Sequence, residues 1–107
     1  MASREEFVTY AAEQMKDAGE ITCRKMFGEY GVYCDGKIFA LICDDQLFLK
    51  ITEEGRKVCP NLQEMPPYEG AKPYFLVEDL DDRELMTRLV KETVKALPEP
   101  KKKKKKK

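Results

Sequence analysis

Cysteines have the widest range of possible chemistry in this 107-residue chain, since a thiolate can ligate a metal, form a disulfide or attack an electrophile. They stand at Cys23, Cys34, Cys43 and Cys59, and no two have the Cys-x-x-Cys spacing of a zinc knuckle. Histidine is absent, which excludes Ser-His-Asp and Cys-His catalysis and every His-ligated metal site. Because the N-terminus lacks the basic-then-apolar order of an export signal, we expect reduced, mostly buried thiols; a redox role, disulfides or a distorted zinc site are the alternatives.

Three acidic pairs offer carboxylates for metal binding or acid–base chemistry, namely Asp44-Asp45, Glu53-Glu54 and Asp81-Asp82. Each stands at a predicted turn or helix start, where Asp and Glu are favoured because their side chains bond nearby backbone N–H groups. We therefore interpret the pairs as local structural signals, and we expect no metal site and no cofactor.

The densest group of chemically varied side chains lies at residues 23–31, where Arg24 and Lys25 stand beside aromatic residues and a glycine-bracketed turn. Cations and aromatic rings could together bind an anion or a nucleic acid, because phosphates pair with cations and bases stack on rings. The alternative is a twisted strand with solvated cations, whose glycines supply backbone angles. Since the segment precedes a strand and not a helix, it is not a dinucleotide-binding fingerprint.

A net charge of zero hides an acidic body and a basic tail. Without the terminal lysines, positions 1–100 hold 13 basic and 20 acidic residues, a net charge of −7. We expect residues 98–107 to be a disordered Pro/Lys tail that binds polyanions weakly and with steep salt dependence. The lysines of this tail are Lys101, Lys102, Lys103, Lys104, Lys105, Lys106 and Lys107. No apolar run approaches the roughly 18 residues of a membrane span, so we expect a cytoplasmic protein without membrane contact.

Helical spacing of apolar residues predicts three helices that position these groups. The first begins with Ser3 as its cap and ends at Gly19. A short second helix is predicted over 52–59, and a last helix from 81 to 97 with acidic residues in its first turn.

Alternating apolar residues and turn signals predict an antiparallel meander with a two-residue turn at Asp35-Gly36. Beyond Pro66-Pro67 we predict one or two further strands over 68–70 and 72–77, in an edge position because Pro73 cannot donate to a ladder. The four meander strands are predicted over residues 21–27, 32–34, 37–43 and 46–51.

The predicted fold is a single α+β domain over residues 1–97, a two-layer sandwich with the helices from both termini on one face of an antiparallel sheet. Strand alternation then places Phe39, Leu41 and Phe48 on the second face, which two helices on the first cannot cover. An uncovered aromatic patch is typical of a protein contact. The alternative is that the short helix or the proline-rich segment covers this patch.

Three stretches of the sequence resemble a known family. They are Arg-Lys-Met-Phe-Gly-Glu-Tyr-Gly-Val-Tyr at 24–33, Asp-Gly-Lys-Ile-Phe-Ala-Leu-Ile at 35–42 and Asp-Gln-Leu-Phe-Leu-Lys at 45–50. Together they resemble the N-terminal domain of the competence regulator TfoX, also called Sxy, in a match over residues 3–97. Glu29 departs from that pattern, which often has glycine at this position.

The resemblance implies a small α+β fold like that of secretion chaperones. The full-length regulators carry a second, helical C-terminal domain and act with the cyclic-AMP receptor protein to activate competence genes. Because this chain ends at the lysine tail, we expect a stand-alone member that lacks the second domain. The family pattern contains no catalytic residues, so none are transferred.

The leading hypothesis is a non-enzymatic regulatory or protein-interaction domain whose partner is a transcription regulator or a second copy of itself. The second hypothesis is a nucleic-acid-associated protein that uses its tail, since an acidic body would be repelled by DNA. An enzyme is the third, and the lack of histidine and of any convergent motif argues against it. The predicted interaction residues are Arg24, Lys25, Met26, Phe27, Gly28, Tyr30, Gly31, Tyr33, Phe39 and Phe48.

Overall fold

A computed structural model describes residues 4–26 and 29–97 of the chain. Its α-helices in that range are α1 (Glu5–Met15), α2 (Glu53–Val58) and α3 (Arg83–Ala96). Its strands are β1 (Ile21–Met26), β2 (Glu29–Cys34), β3 (Lys37–Cys43), β4 (Gln46–Leu49), β5 (Gln63–Met65) and β6 (Tyr74–Val77). They form one antiparallel sheet in the order β1-β2-β3-β4-β6-β5, so β1 and β5 are its edges.

Side-chain caps begin two of the helices, because an N-terminal turn leaves backbone N–H groups without partners. Asp82 accepts a hydrogen bond from the Leu85 N–H at 3.1 Å, and Thr52 Oγ1 accepts one from the Gly55 N–H at 2.9 Å. The cap of α1 is Arg4, whose side chain makes no capping bond. Ser3, the predicted cap, lies outside the described residues.

The main core lies between one face of the sheet and the two terminal helices. This arrangement confirms the predicted α+β sandwich, and it defines a helix face and an opposite, outer face of the sheet. The buried residues that form this core include Val8, Ala11 and Met15 of α1, Met86, Leu89 and Val90 of α3, and Val32, Ile42, Leu47, Leu49, Phe75 and Val77 of the sheet.

A β-bulge in β3 makes the predicted face of Phe39 wrong. Val32 pairs with Ala40 and Tyr33 with Ile38, so Phe39 is the extra residue of the bulged strand. An extra residue interrupts the alternation of side chains between faces. Phe39 therefore joins Ala40 in the main core with no exposed surface, and it cannot contact a partner.

The proline-rich segment also differs from the prediction. Residues 68–70 form a turn instead of a strand, and the additional strand, β5, lies before Pro66-Pro67. β6 is not an edge strand, because it pairs with both β4 and β5. Pro73 immediately precedes β6, where its missing N–H removes no bond from the ladder.

Candidate interaction surface

The β1–β2 hairpin holds most of the predicted interaction residues, but it does not bring its two cations together. Arg24 pairs with Gly31 and Lys25 pairs with Tyr30, and neighbouring pairs of a ladder point to opposite faces. Tyr30 packs against the main core on the helix face, so Lys25 lies on that side and Arg24 lies on the outer face. The hairpin therefore does not form the single anion site that a linear view of the sequence suggests.

On the outer face, Arg24 forms a cation–aromatic pair. Its guanidinium carbon lies 5.7 Å from the centroid of the Tyr33 ring, within the range of a favourable cation–π contact. Gly31 lies directly between Arg24 of β1 and Leu41 of β3 in the paired strands. Because glycine has no side chain, backbone separates this pair from the apolar residues of the next strands.

A second, smaller apolar cluster lies on the outer face across β3, β4, β6 and β5. Phe48 is its centre, paired with Leu41 on one side and Leu76 on the other. Phe48 lies on the outer face as predicted, but only 1% of its surface is exposed. We call this group the outer-face cluster, and its members are Leu41, Cys43, Phe48, Met65, Tyr74 and Leu76.

The half-buried members of the outer-face cluster are the ones a partner could contact. They are Leu41, Met65 and Tyr74, whereas Cys43, Phe48 and Leu76 are buried beneath them. Sequence reasoning named Leu41 but missed Met65 and Tyr74. The pairing of Met65 with Tyr74 carries them into the sheet, and no local pattern signals a three-residue strand before two prolines.

Several predicted site residues cannot be placed. Phe27 and Gly28 lie outside the described residues, as do the tail lysines 101–107, and only the backbone of Met26 is described. Within the described part, Arg24, Gly31 and Tyr33 come together on the outer face, and Phe48 lies two strands away from Gly31.

The thiols are all free and have little thiolate character. Burial raises the pKa of the Cys43 thiol to about 11, with further contributions from the Glu29 and Asp44 carboxylates. Burial likewise raises the pKa values of Cys23, Cys34 and Cys59. Because the thiolate is the reactive form, these environments do not activate any of the four sulfurs.

Two of the three acidic pairs, at 44–45 and 81–82, make structural contacts from the turn and the helix start at which they were predicted. Asp45 accepts hydrogen bonds from the backbone N–H of Arg4 at 2.8 Å and from its Nε at 3.2 Å, which joins the start of α1 to the β3–β4 turn. Asp82 caps α3. Among the described residues, no group of three or more His, Cys, Asp or Glu side chains could hold a metal ion. None of the helices in those residues is long and apolar enough to cross a membrane.

Comparison with known proteins identifies the family. The sequence model of the TfoX N-terminal domain matches residues 13–97. The chain belongs to the TfoX N-terminal domain family. A curated protein of Spirochaeta aurantia, described as an uncharacterized 12.7 kDa protein in the trpE 5′ region, is 33% identical over 102 residues, which is 94% of this chain and 89% of that protein. The resemblance seen in the hairpin and strand motifs is thus confirmed at the level of the domain.

Proposed function

We propose that this TfoX N-terminal domain is a non-enzymatic protein-interaction module that contributes to regulation by binding a protein partner across its outer sheet face. The observation that carries the proposal is the outer-face cluster, whose half-buried Leu41, Met65 and Tyr74 have no helix packed over them among the described residues. Apolar groups that stay partly exposed beside polar ones are typical of a protein contact.

The Arg24–Tyr33 pair gives that face a polar border. Arg and Tyr are enriched at protein interfaces because each offers a large contact area together with hydrogen-bond donors. Their place on β1 and β2, next to the apolar β3–β4–β6 region, matches an arrangement of apolar centre and polar rim. The predicted partner is a transcription regulator or a second copy of the chain, in the cytoplasm.

A substitution on the outer sheet face, compared with one on helix α3, tests the proposal. Leu41→Lys introduces a charge on the outer face, and Lys91→Glu, on the exposed side of α3, is the matched control. We expect sedimentation and cross-linking in concentrated native lysate to show a complex for the parent and for the Lys91 variant, and loss of that complex for the Leu41 variant. Circular dichroism checks that each variant folds. A folded Leu41 variant that still forms the complex would overturn the outer face as the contact surface.

A second candidate function is nucleic-acid binding through the terminal lysines, which the run of seven like charges favours. Removal of residues 101–107 should then abolish binding to duplex DNA, and binding by the parent should weaken steeply between low and high salt. Partner capture that survives this truncation would separate the two functions. DNA affinity that does not change with salt would contradict the tail mechanism.

A further inference from the structure

Strand β1 lies at the edge of the sheet, and no strand of the described part of the chain pairs with its outer side. The Glu20 carbonyl accepts a hydrogen bond from the Asp35 N–H at 2.9 Å, so residue 20 bonds toward β2. Antiparallel strands alternate between residues that bond to their neighbour and residues that do not. By this alternation, Ile21, Cys23 and Lys25 direct their N–H and C=O groups to the free edge.

The two edges of the sheet are built differently. β5 has three residues and is followed directly by Pro66-Pro67, which is a common way of blunting an edge against further pairing. β1 has six residues and contains no proline. The β1 edge is therefore long enough to accept another strand, whereas the β5 edge is not.

A groove runs beside this free edge, between α1 and β1. One flank of α1 contacts α3, and Gln14 Nε2 donates at 2.6 Å to the carbonyl of Leu80, in the loop that precedes α3. The other flank overhangs β1 and, with that strand, encloses an open groove of about 410 Å³. Half of its lining residues are apolar, namely Val8, Ala12, Ile21 and Cys23, and the two charged ones, Glu13 and Lys16, pair with each other at 3.4 Å.

The positive charges of β1 favour an acidic polypeptide as the occupant of this edge. The strand carries Arg24 and Lys25 and no carboxylate, in a body that is otherwise acidic. Both side chains are exposed, and neither forms a salt bridge with any of the residues that the structure describes. Two copies paired edge to edge would place four cations along one short ladder, which disfavours a second copy as the occupant.

We infer that the β1 edge and the α1–β1 groove bind an extended peptide in which apolar residues alternate with acidic ones. The peptide adds a strand to the sheet, so main-chain hydrogen bonds to Ile21, Cys23 and Lys25 supply affinity. Its apolar side chains enter the groove on the helix face, so its acidic side chains lie on the outer face, beside Arg24. Arg24 borders both regions, but the β1 edge and the groove contain no member of the outer-face cluster, so failure of the peptide to bind would leave the proposed function standing.

A synthetic peptide with the sequence Glu-Val-Glu-Val-Glu-Val-Glu, labelled with fluorescein, tests the inference by fluorescence anisotropy. We expect saturable binding to the full chain, and a loss of about tenfold in affinity on replacing Arg24→Glu, which turns surface ion pairs into like-charge contacts. Lys91→Glu is the matched control, because it reverses one exposed cation on α3 and should leave affinity unchanged.

Two N-methylated isomers of the peptide test the backbone pairing itself. Strand addition uses the N–H groups of alternate residues only, so methylation of the valine nitrogens and methylation of the glutamate nitrogens must have different effects. If only the peptide methylated at its valine nitrogens loses affinity, the peptide adds as an antiparallel strand. If only the peptide methylated at its glutamate nitrogens loses affinity, it adds as a parallel strand. Equal affinities for the two isomers, or no binding by the parent peptide, would overturn the inference.

Sedimentation of the chain alone tests whether a second copy of the chain, and not a peptide, occupies the β1 edge. No dimer that depends on the β1 edge is expected at micromolar concentration. A dimer that dissociates when a proline replaces Cys23, an edge residue whose N–H is not needed by β2, would show that a second copy fills the edge and would overturn the peptide as its occupant.

Discussion

Replacement of Lys37 by methionine tests how the sheet holds the C-terminus of α3. The Lys37 ammonium donates to the carbonyl oxygens of Val94 and Leu97, each at 3.0 Å. Carbonyl groups in the last turn of a helix lack the usual partner four residues on, although the Val94 carbonyl also accepts the Leu97 N–H at 3.2 Å, and a cation there complements the helix dipole. Lys37→Met keeps most of the aliphatic stem while it removes both bonds.

The expected loss follows from these contacts. Hydrogen bonds to a charged group contribute about 1.5–3 kcal/mol, and because Lys37 is only half-buried we take about 2 kcal/mol for the pair of bonds. With a urea dependence of about 1.5 kcal/mol/M, the unfolding midpoint should fall by about 1.3 M.

Equilibrium urea unfolding, followed by circular dichroism, measures this shift. Lys95→Met is the matched control, since Lys95 lies near the C-terminus of α3 and its one salt bridge within the described residues is an exposed pair with Glu92 at 3.6 Å. Exposed pairs of this kind contribute less than about 0.5 kcal/mol. Equal midpoints for the two variants would refute the role assigned to Lys37.

Three further predictions concern buried or perturbed groups. Because burial raises the pKa of Cys43 to about 11, iodoacetamide at pH 8 should label Cys43 last of the cysteines in a peptide map; early labelling would contradict its placement. Thr93→Val should raise the unfolding free energy by about 1 kcal/mol in urea, because the buried Thr93 hydroxyl has no hydrogen-bond partner within residues 4–26 and 29–97; a loss of stability would contradict this. The Asp81 carboxylate accepts the Tyr10 hydroxyl bond and raises the pKa of Tyr10 to about 12, above the unfolded value near 10, so the unfolded state binds fewer protons between those pH values. Stability should therefore fall as pH rises through that window, and Tyr10→Phe should reduce the slope.

The meander and the terminal helices could be predicted because their signals are local. Asp35 and Gly36 both adopt positive φ, at 51° and 85°, as a two-residue hairpin turn requires. The apolar stripe of α3 and the cap at Asp82 likewise depend on residues within a few positions of one another. Local chemistry of this kind is visible without a partner strand.

The residues that the sequence analysis placed wrongly or missed depend on strand pairing between distant segments of the chain. Phe39 alternates normally in the sequence, and only the register of β2 against β3 makes it the extra residue of a bulge. Met65 and Tyr74 reach the outer-face cluster because β6 enters beside β4, far away along the chain. The hairpin cations, in contrast, could have been separated from the sequence alone, since Arg24 and Lys25 are consecutive in a strand.

Because β6 pairs between β4 and β5, the nascent chain exposes the unpaired side of β4 until β6 has been synthesised. Until residues 74–77 are translated, one side of β4 has no strand to pair with. The apolar residues on that strand, Leu47, Phe48 and Leu49, are by then already part of the chain. A nascent or prematurely terminated product would therefore display an apolar, unpaired ribbon of the kind that nucleates aggregates. Nonsense or frameshift changes in the second half of the coding region should accordingly yield insoluble fragments that need chaperones or proteolysis, and not shortened but functional domains.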